Sequence, residues 1–127
     1  MPHIIVEYTA NLDHVPWDEV LKVLHKAAAE MPELPMPGLR SRTHRCADFR
    51  VSDGKPENAF VHVVLRMGHG RSEEARERIG KHVFSALADY FKATFDERPL
   101  SVTLEVQEIH PVLNFRKANL RDHFDKG

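Results

Sequence analysis

The sequence predicts an α+β fold (α/β-like in its connections): two consecutive strand–helix–strand units forming a four-stranded sheet with two helices on one face. Three observations carry this. Four segments read as extended, and two segments between them repeat apolar residues at helical spacing. Pro- and Gly-rich stretches fall at the boundaries. The chain has 127 residues, 42% hydrophobic and 29% charged, which fits one domain able to bury a core. That domain is expected to span 1–127, with halves at about 2–56 and 57–110 and a C-terminal tail over 111–127.

The first strand is expected at His3 to Tyr8, with Ile4, Val6 and Tyr8 on one face and Ile5 and Glu7 on the other. A helix opens near Pro16, where a first-turn proline loses no hydrogen bond. Its apolar face is Trp17, Val20, Leu21, Leu24, Ala28 and Met31. The segment MPELPMPG, Met31 to Gly38, ends it. Leu39 to Val51 is extended, and Ser52 to Glu57 is a turn centred on Asp53-Gly54. Phe60 to Met67 is nearly all apolar, as in a strand covered on both faces. After the bend at Gly68 to Gly70, Ser72 caps a second helix, with Glu73 and Glu74 favourably placed in its first turn. Its apolar steps at Ala75, Ile79, Val83, Leu87, Phe91 and Phe95 carry it to about Phe95. Ser101 to Ile109 alternates, with Val102, Leu104 and Val106 on the buried face, and a short helix is expected near Lys117 to Phe124.

Both crossovers are long enough to join parallel strands. Two helices cover only one face of such a sheet. The other face, expected to be apolar around Ile5 and the Phe60–Met67 strand, needs a cover that the chain cannot supply, which predicts an oligomer.

Eighteen Lys and Arg against nineteen Asp and Glu leave a net charge of −1. That balance argues against nucleic acid as a partner. No apolar run is long enough to span a bilayer, and MPHIIVEYTA lacks the pattern of a signal peptide, so a cytoplasmic location is expected. Cys46 is the only cysteine and cannot form an internal disulfide.

Three features suggest chemistry. Removal of Met1 would leave Pro2 as an N-terminal secondary amine. An α-amine titrates near 7.7–8.0, burial and nearby cations lower that value, and an amine uncharged near neutral pH can act as a general base. Retention of Met1 would make that nitrogen an amide and remove the possibility. Secondly, Arg40, Arg42, Arg45 and Arg50 crowd one segment, with Arg40, Arg42 and His44 sharing a strand face, and Arg71 precedes the second helix. Guanidinium groups bind carboxylates bidentately, so the cluster suits a small polycarboxylate; a solvated face or ion pairs to the helices would explain it equally well. Thirdly, there are nine histidines. His3, His44, His62, His69, His82 and His110 form no close ligand pair, so no metal is expected, and His62 reads as a hydrogen-bonded core residue. Cys46 has no evident base partner.

With Pro2, Arg40 and Arg71 in view, the chain resembles the 5-carboxymethyl-2-hydroxymuconate Δ-isomerase family of the tautomerase superfamily. The matching segments are PHIIVE at Pro2–Glu7, GLRSRTH at Gly38–His44, AFVHVVLRMGHGRS at Ala59–Ser72 and EIHPVLNF at Glu108–Phe115. They span nearly the whole chain in order. The resemblance implies a tautomerase-type fold assembled as a homotrimer, with no cofactor and no metal. It implies catalytic roles for Pro2 as base and for Arg40 and Arg71 as carboxylate-binding or enolate-stabilising groups, with Arg42 as a further substrate-binding residue. The early arginine of short tautomerases has no counterpart in Thr9-Ala10-Asn11-Leu12, and Arg71 is the expected substitute.

The implied reaction is a 1,3-proton transfer on a dienol tricarboxylate of homoprotocatechuate catabolism. Two alternatives stand beside it. One is a dehalogenase or decarboxylase acting on a 2-oxo acid, which would need a carboxylate near Pro2, with Glu7 the nearest in sequence. The other is a non-catalytic ferredoxin-like ligand-binding module, which antiparallel central strands and a buried or blocked Pro2 would favour.

Overall fold

The structure, a computed structural model, describes residues 1–124; the last three residues of the expected tail lie outside the described residues. The four strands are β1 (His3–Thr9), β2 (Arg40–Cys46), β3 (Ala59–Met67) and β4 (Leu100–Glu108). They form one sheet in the order β2-β1-β3-β4. β1 runs parallel to β2, β3 runs parallel to β4, and the central pair β1–β3 is antiparallel. The parallel pairs are joined through α1 (Trp17–Ala29) and through α2 (Glu73–Tyr90) with a short α3 (Lys92–Glu97).

Each β-α-β unit therefore keeps its two strands side by side. A ferredoxin-like sheet splits each unit with a strand from the other half. The central pair is antiparallel and Pro2 is buried, the two features expected to favour that module. Antiparallel central strands follow, however, whenever two such halves meet through their first strands, and the unsplit order is what separates the architectures.

Both helices lie on one face. Beneath them sit Ile4, Val6 and Tyr8 of β1 and Val61, Val63, Leu65 and Met67 of β3, all buried. α1 contributes Val20, Leu24 and Ala28, and α2 contributes Ile79, Val83 and Leu87. The Tyr8 ring stacks on Trp17 at 4.0 Å between centroids. Trp17 Nε1 donates to the Leu12 carbonyl at 3.1 Å, which satisfies its one polar atom. Ser72 caps α2 as expected, its hydroxyl accepting from the Ala75 N–H at 3.1 Å.

Several expectations need correction. The second helix stops at Tyr90 because Phe91, buried against Trp17 and Tyr90, takes ψ of 10° and leaves helical geometry. The chain restarts as α3 and leaves Phe95 60% exposed. The strand expected over Leu39 to Val51 ends at Cys46, where the pairing with β1 runs out at Thr9. Val102, Leu104 and Val106 do face the core as expected, but β4 is an edge strand and they are only half-buried. The tail helix, α4, is confined to Leu120–His123.

The helix-free face is also not simply apolar. The register places Arg40, His3, Arg66 and Gln107 in one row across all four strands, and His44, Glu7, His62 and Thr103 in another. Between them run Arg42, Ile5, Val64 and Glu105. Phe60, His62, Val64 and Arg66 are all half-buried, so β3 is covered on one face only within the chain. No helix among the described residues is long and apolar enough to cross a membrane.

Candidate active site

The pairing brings the beginnings of β1 and β2 and the ends of β3 and β4 to one edge of the sheet. His3 faces Arg40 and Arg66, and Met67 faces Glu108. The Pro2 carbonyl accepts the Arg40 N–H at 3.1 Å, which carries the parallel ladder one residue beyond β1. Residue 1 is packed closely: a Cβ on Gly38 would lie 3.2 Å from Met1 Cγ. Arg40 Nη2 approaches Met1 Sδ at 2.9 Å.

Arg71 arrives from the other half of the chain. The bend after β3 turns at Gly70, whose φ of +109° suits glycine. The Gly70 N–H points to Glu108 Oε2 at 3.4 Å, and Arg76 approaches the same carboxylate at 3.5 Å. Arg71 Nη1 donates to the Gly68 carbonyl at 2.9 Å, and its Nη2 donates to the Glu33 carbonyl. The guanidinium thus bridges the bend to the connection after α1, rather than reinforcing the N-terminus of α2.

A third arginine comes from the tail. α4 packs on the 3-10 turn Met36–Gly38. This encloses a cavity of about 450 Å³ lined by Met1, Gly38, Arg116, Lys117 and Arg121, among others. The Met1 amine, one residue before the Pro2 nitrogen, is held below its ordinary value of 8.0, first by burial and then by Arg116, Arg40 and Arg71. Each factor penalises the ammonium form.

Of the arginine stripe, only Arg40 reaches residue 1. Arg42 is one face-sharing step along β2, where Nη1 lies 3.1 Å from His3 Nδ1. His3 is held below its ordinary value of 6.5 by burial and then by Arg40, Arg42 and Arg66. Its ring is therefore the acceptor in that contact. Arg45 forks onto Asp13 at 2.8 and 3.0 Å, and Arg50 reaches the Asp53 carbonyl at 3.4 Å. Both are engaged away from the amine.

The remaining sequence candidates fall elsewhere. His62 is not a core residue: it lies on the open face, 2.6 Å from Thr103 Oγ1. His82 contacts Glu30, and His110 Nδ1 accepts from the Val112 and Leu113 N–H groups. Burial and the Glu7 charge push the Cys46 thiol up, away from the reactive thiolate. Among the described residues no three His, Cys, Asp or Glu gather as a metal site. Glu7 is on the open face, four residues beyond His3 in β1, so about 13 Å further from the amine.

Sequence reasoning missed Arg116, Glu108 and the Glu33 carbonyl. Arg116 directly follows the EIHPVLNF segment, in an Arg-Lys pair that was the available signal.

The fold is shared with a solved structure described as a fused 4-OT symmetric trimer, which superposes with a TM-score of 0.62 over 92% of each chain, at 19% identity. The particular branch is narrower. The family model for 5-carboxymethyl-2-hydroxymuconate isomerase matches residues 2–124, and the chain belongs to that family. A curated 5-carboxymethyl-2-hydroxymuconate Δ-isomerase from Escherichia coli is 33% identical over 125 residues, covering 98% of this chain and 99% of the relative. The crystal structure of a 5-carboxymethyl-2-hydroxymuconate isomerase from Deinococcus radiodurans R1 matches at 34% identity and a TM-score of 0.91, covering 97% of this chain and 93% of that one. The protein is accordingly an enzyme, an isomerase.

Proposed function

We propose that the protein isomerises 5-carboxymethyl-2-hydroxymuconate in homoprotocatechuate catabolism, using the amine of Pro2 exposed by removal of Met1. The observation that carries this reading is the electrostatic setting of the chain start: the Met1 amine, one residue before the nitrogen that Pro2 would expose, is held down by burial and then by Arg116, Arg40 and Arg71, which come from separate parts of the chain. Uncharged Pro2 takes the proton of the 2-hydroxyl group. The electron pair spreads over the dienolate, whose charge and adjacent carboxylate are met by Arg40 and Arg71. The prolyl ammonium returns the proton at C-5, which shifts the double bonds and leaves the 2-oxo product. No atom is gained or lost, and no cofactor is required by this balance. Arg42, donating to His3 on the same face of the sheet, is the further substrate-binding residue.

The substrate carries three carboxylates, two from the muconate chain and one from the carboxymethyl arm, in keeping with a basic site and a near-neutral molecule. A homotrimer is the working assembly, in line with the half-covered sheet and the symmetric trimer of the fused 4-OT relative. The dehalogenase or decarboxylase alternative loses its nominated carboxylate, since Glu7 is remote.

An ultraviolet assay with the dienol tricarboxylate, before and after acetylation of the N-terminal amine, tests the reading. Acetylation should abolish turnover. Pro2→Ala should retain a fraction of it, because a primary amine can still accept the proton. Mass spectrometry that finds Met1 retained on fully active protein would refute the role of Pro2.

A further inference from the structure

We propose that Arg116, on the tail that walls the cavity outside residue 1, binds the carboxymethyl carboxylate and thereby selects tricarboxylate over dicarboxylate substrates. The inference rests on the function proposed above and adds the residue that reads the third negative charge.

The other arginines at the site are already committed. Arg71 directs two of its donors to the carbonyls of Gly68 and Glu33. Arg40 is fixed beside Pro2, its backbone N–H donating to the Pro2 carbonyl at 3.1 Å, and serves the reacting end. With both assigned to the reacting end, a carboxylate several bonds away calls for a further cation. The cavity beyond residue 1 is where such an arm would extend, and about 450 Å³ readily accommodates it.

That cavity is strongly cationic on its tail side. Arg116, Lys117 and Arg121 line it, against Asp122 as the acid in the lining. Among the described residues, Arg116 makes no hydrogen bond and no ion pair, whereas Arg45, Arg71, Arg76, Arg78 and Arg98 are all engaged. A guanidinium offers two parallel donors to a carboxylate, which an ammonium does not. The tail is also held in place: α4 packs on the Met36–Gly38 turn, and His110 fixes the turn at its start. Arg116 is the tail cation felt by the Met1 amine, where after burial it is the largest influence, which places the guanidinium near the start of the chain.

The test compares Arg116→Gln with the unsubstituted enzyme on 5-carboxymethyl-2-hydroxymuconate and on 2-hydroxymuconate, which lacks the carboxymethyl arm. The ratio of kcat/KM for the first to that for the second should fall about tenfold, as loss of one charged hydrogen-bonding contact implies. Arg116→Lys should restore part of it. An unchanged ratio overturns the proposal. Calorimetry with propane-1,2,3-tricarboxylate and with glutarate separates this from failure of the proline mechanism, since neither probe reacts. On N-terminally acetylated protein, Arg116→Gln should still weaken the tricarboxylate relative to glutarate, and equal weakening of both probes overturns the proposal. Full activity of the acetylated enzyme would refute the Pro2 base alone.

Discussion

At the scale of single residues, the site is built on cations that suppress the charge of an amine. A base must be uncharged to work, and a depressed pKa means that the free form appears at lower pH. The lowered Met1 amine shows the sign of the local field, so the acidic limb of kcat/KM should lie below the ordinary range of an N-terminal proline amine, with activity rising through it. Arg40→Ala removes one of the charges that disfavour the ammonium, so the limb should move upward while the maximal rate falls about 10²-fold. A limb that stays in place would sever the link between Arg40 and the amine. Gly68 offers a second probe. A Cβ there would sit 3.2 Å from Arg71 Nη1, so Gly68→Ala should displace the guanidinium and lower kcat/KM with little change in Tm. Pro2, Arg40 and Arg71 are nominated by the sequence, through the secondary amine, the arginine cluster and the family resemblance, and the fold brings Pro2 and Arg40 side by side. Arg116 carries only the weak signal of an Arg-Lys pair, because its place beside the chain start exists only once the tail folds back on Met36–Gly38.

At the scale of elements, register does most of the positioning. A shift of one residue between β1 and β2 would turn Arg40 from the helix-free face to the core face. The alternation that fixes this was legible in His3 to Tyr8 and in Ser101 to Ile109. The same period-two logic places His62 and Arg66 on one face of β3, although the run of apolar neighbours concealed it. The direction of β3 relative to β1 was not legible, since nothing in residues 47–58 says through which strands the two halves meet. The break at Phe91 was equally hidden, because an apolar step of four continues through it with neither glycine nor proline. Close packing of α2 on β4 yields a stability prediction. A Cβ on Gly80 would meet Val106 Cγ2 at 2.9 Å, too close without movement of helix or strand. Gly80→Val should cost about 1–3 kcal/mol, typical of overpacking. Urea denaturation should show a lower midpoint with unchanged slope.

At the scale of the whole molecule, the chain leaves two surfaces that a single copy does not complete. One is the helix-free side of the sheet, where half-buried Ile5, Val64 and Phe60 are framed by Arg40, Arg42 and Arg66. The other is the tail, where Val112, Leu113 and Phe115 are 71%, 70% and 87% exposed. Contiguous apolar side chains of this kind mark an interaction surface. A closed rotational assembly would repeat every contact three times, so one substitution acts at three equivalent places. Burying an aromatic side chain is worth about 1.5–3 kcal/mol, and Phe115→Asp would forfeit that at each interface while adding a charge to desolvate. The unsubstituted protein should sediment at three times its chain mass of 14.6 kDa, and Phe115→Asp should shift the population toward monomer at micromolar concentration. A stable 14.6 kDa species of the unsubstituted protein would overturn the trimer.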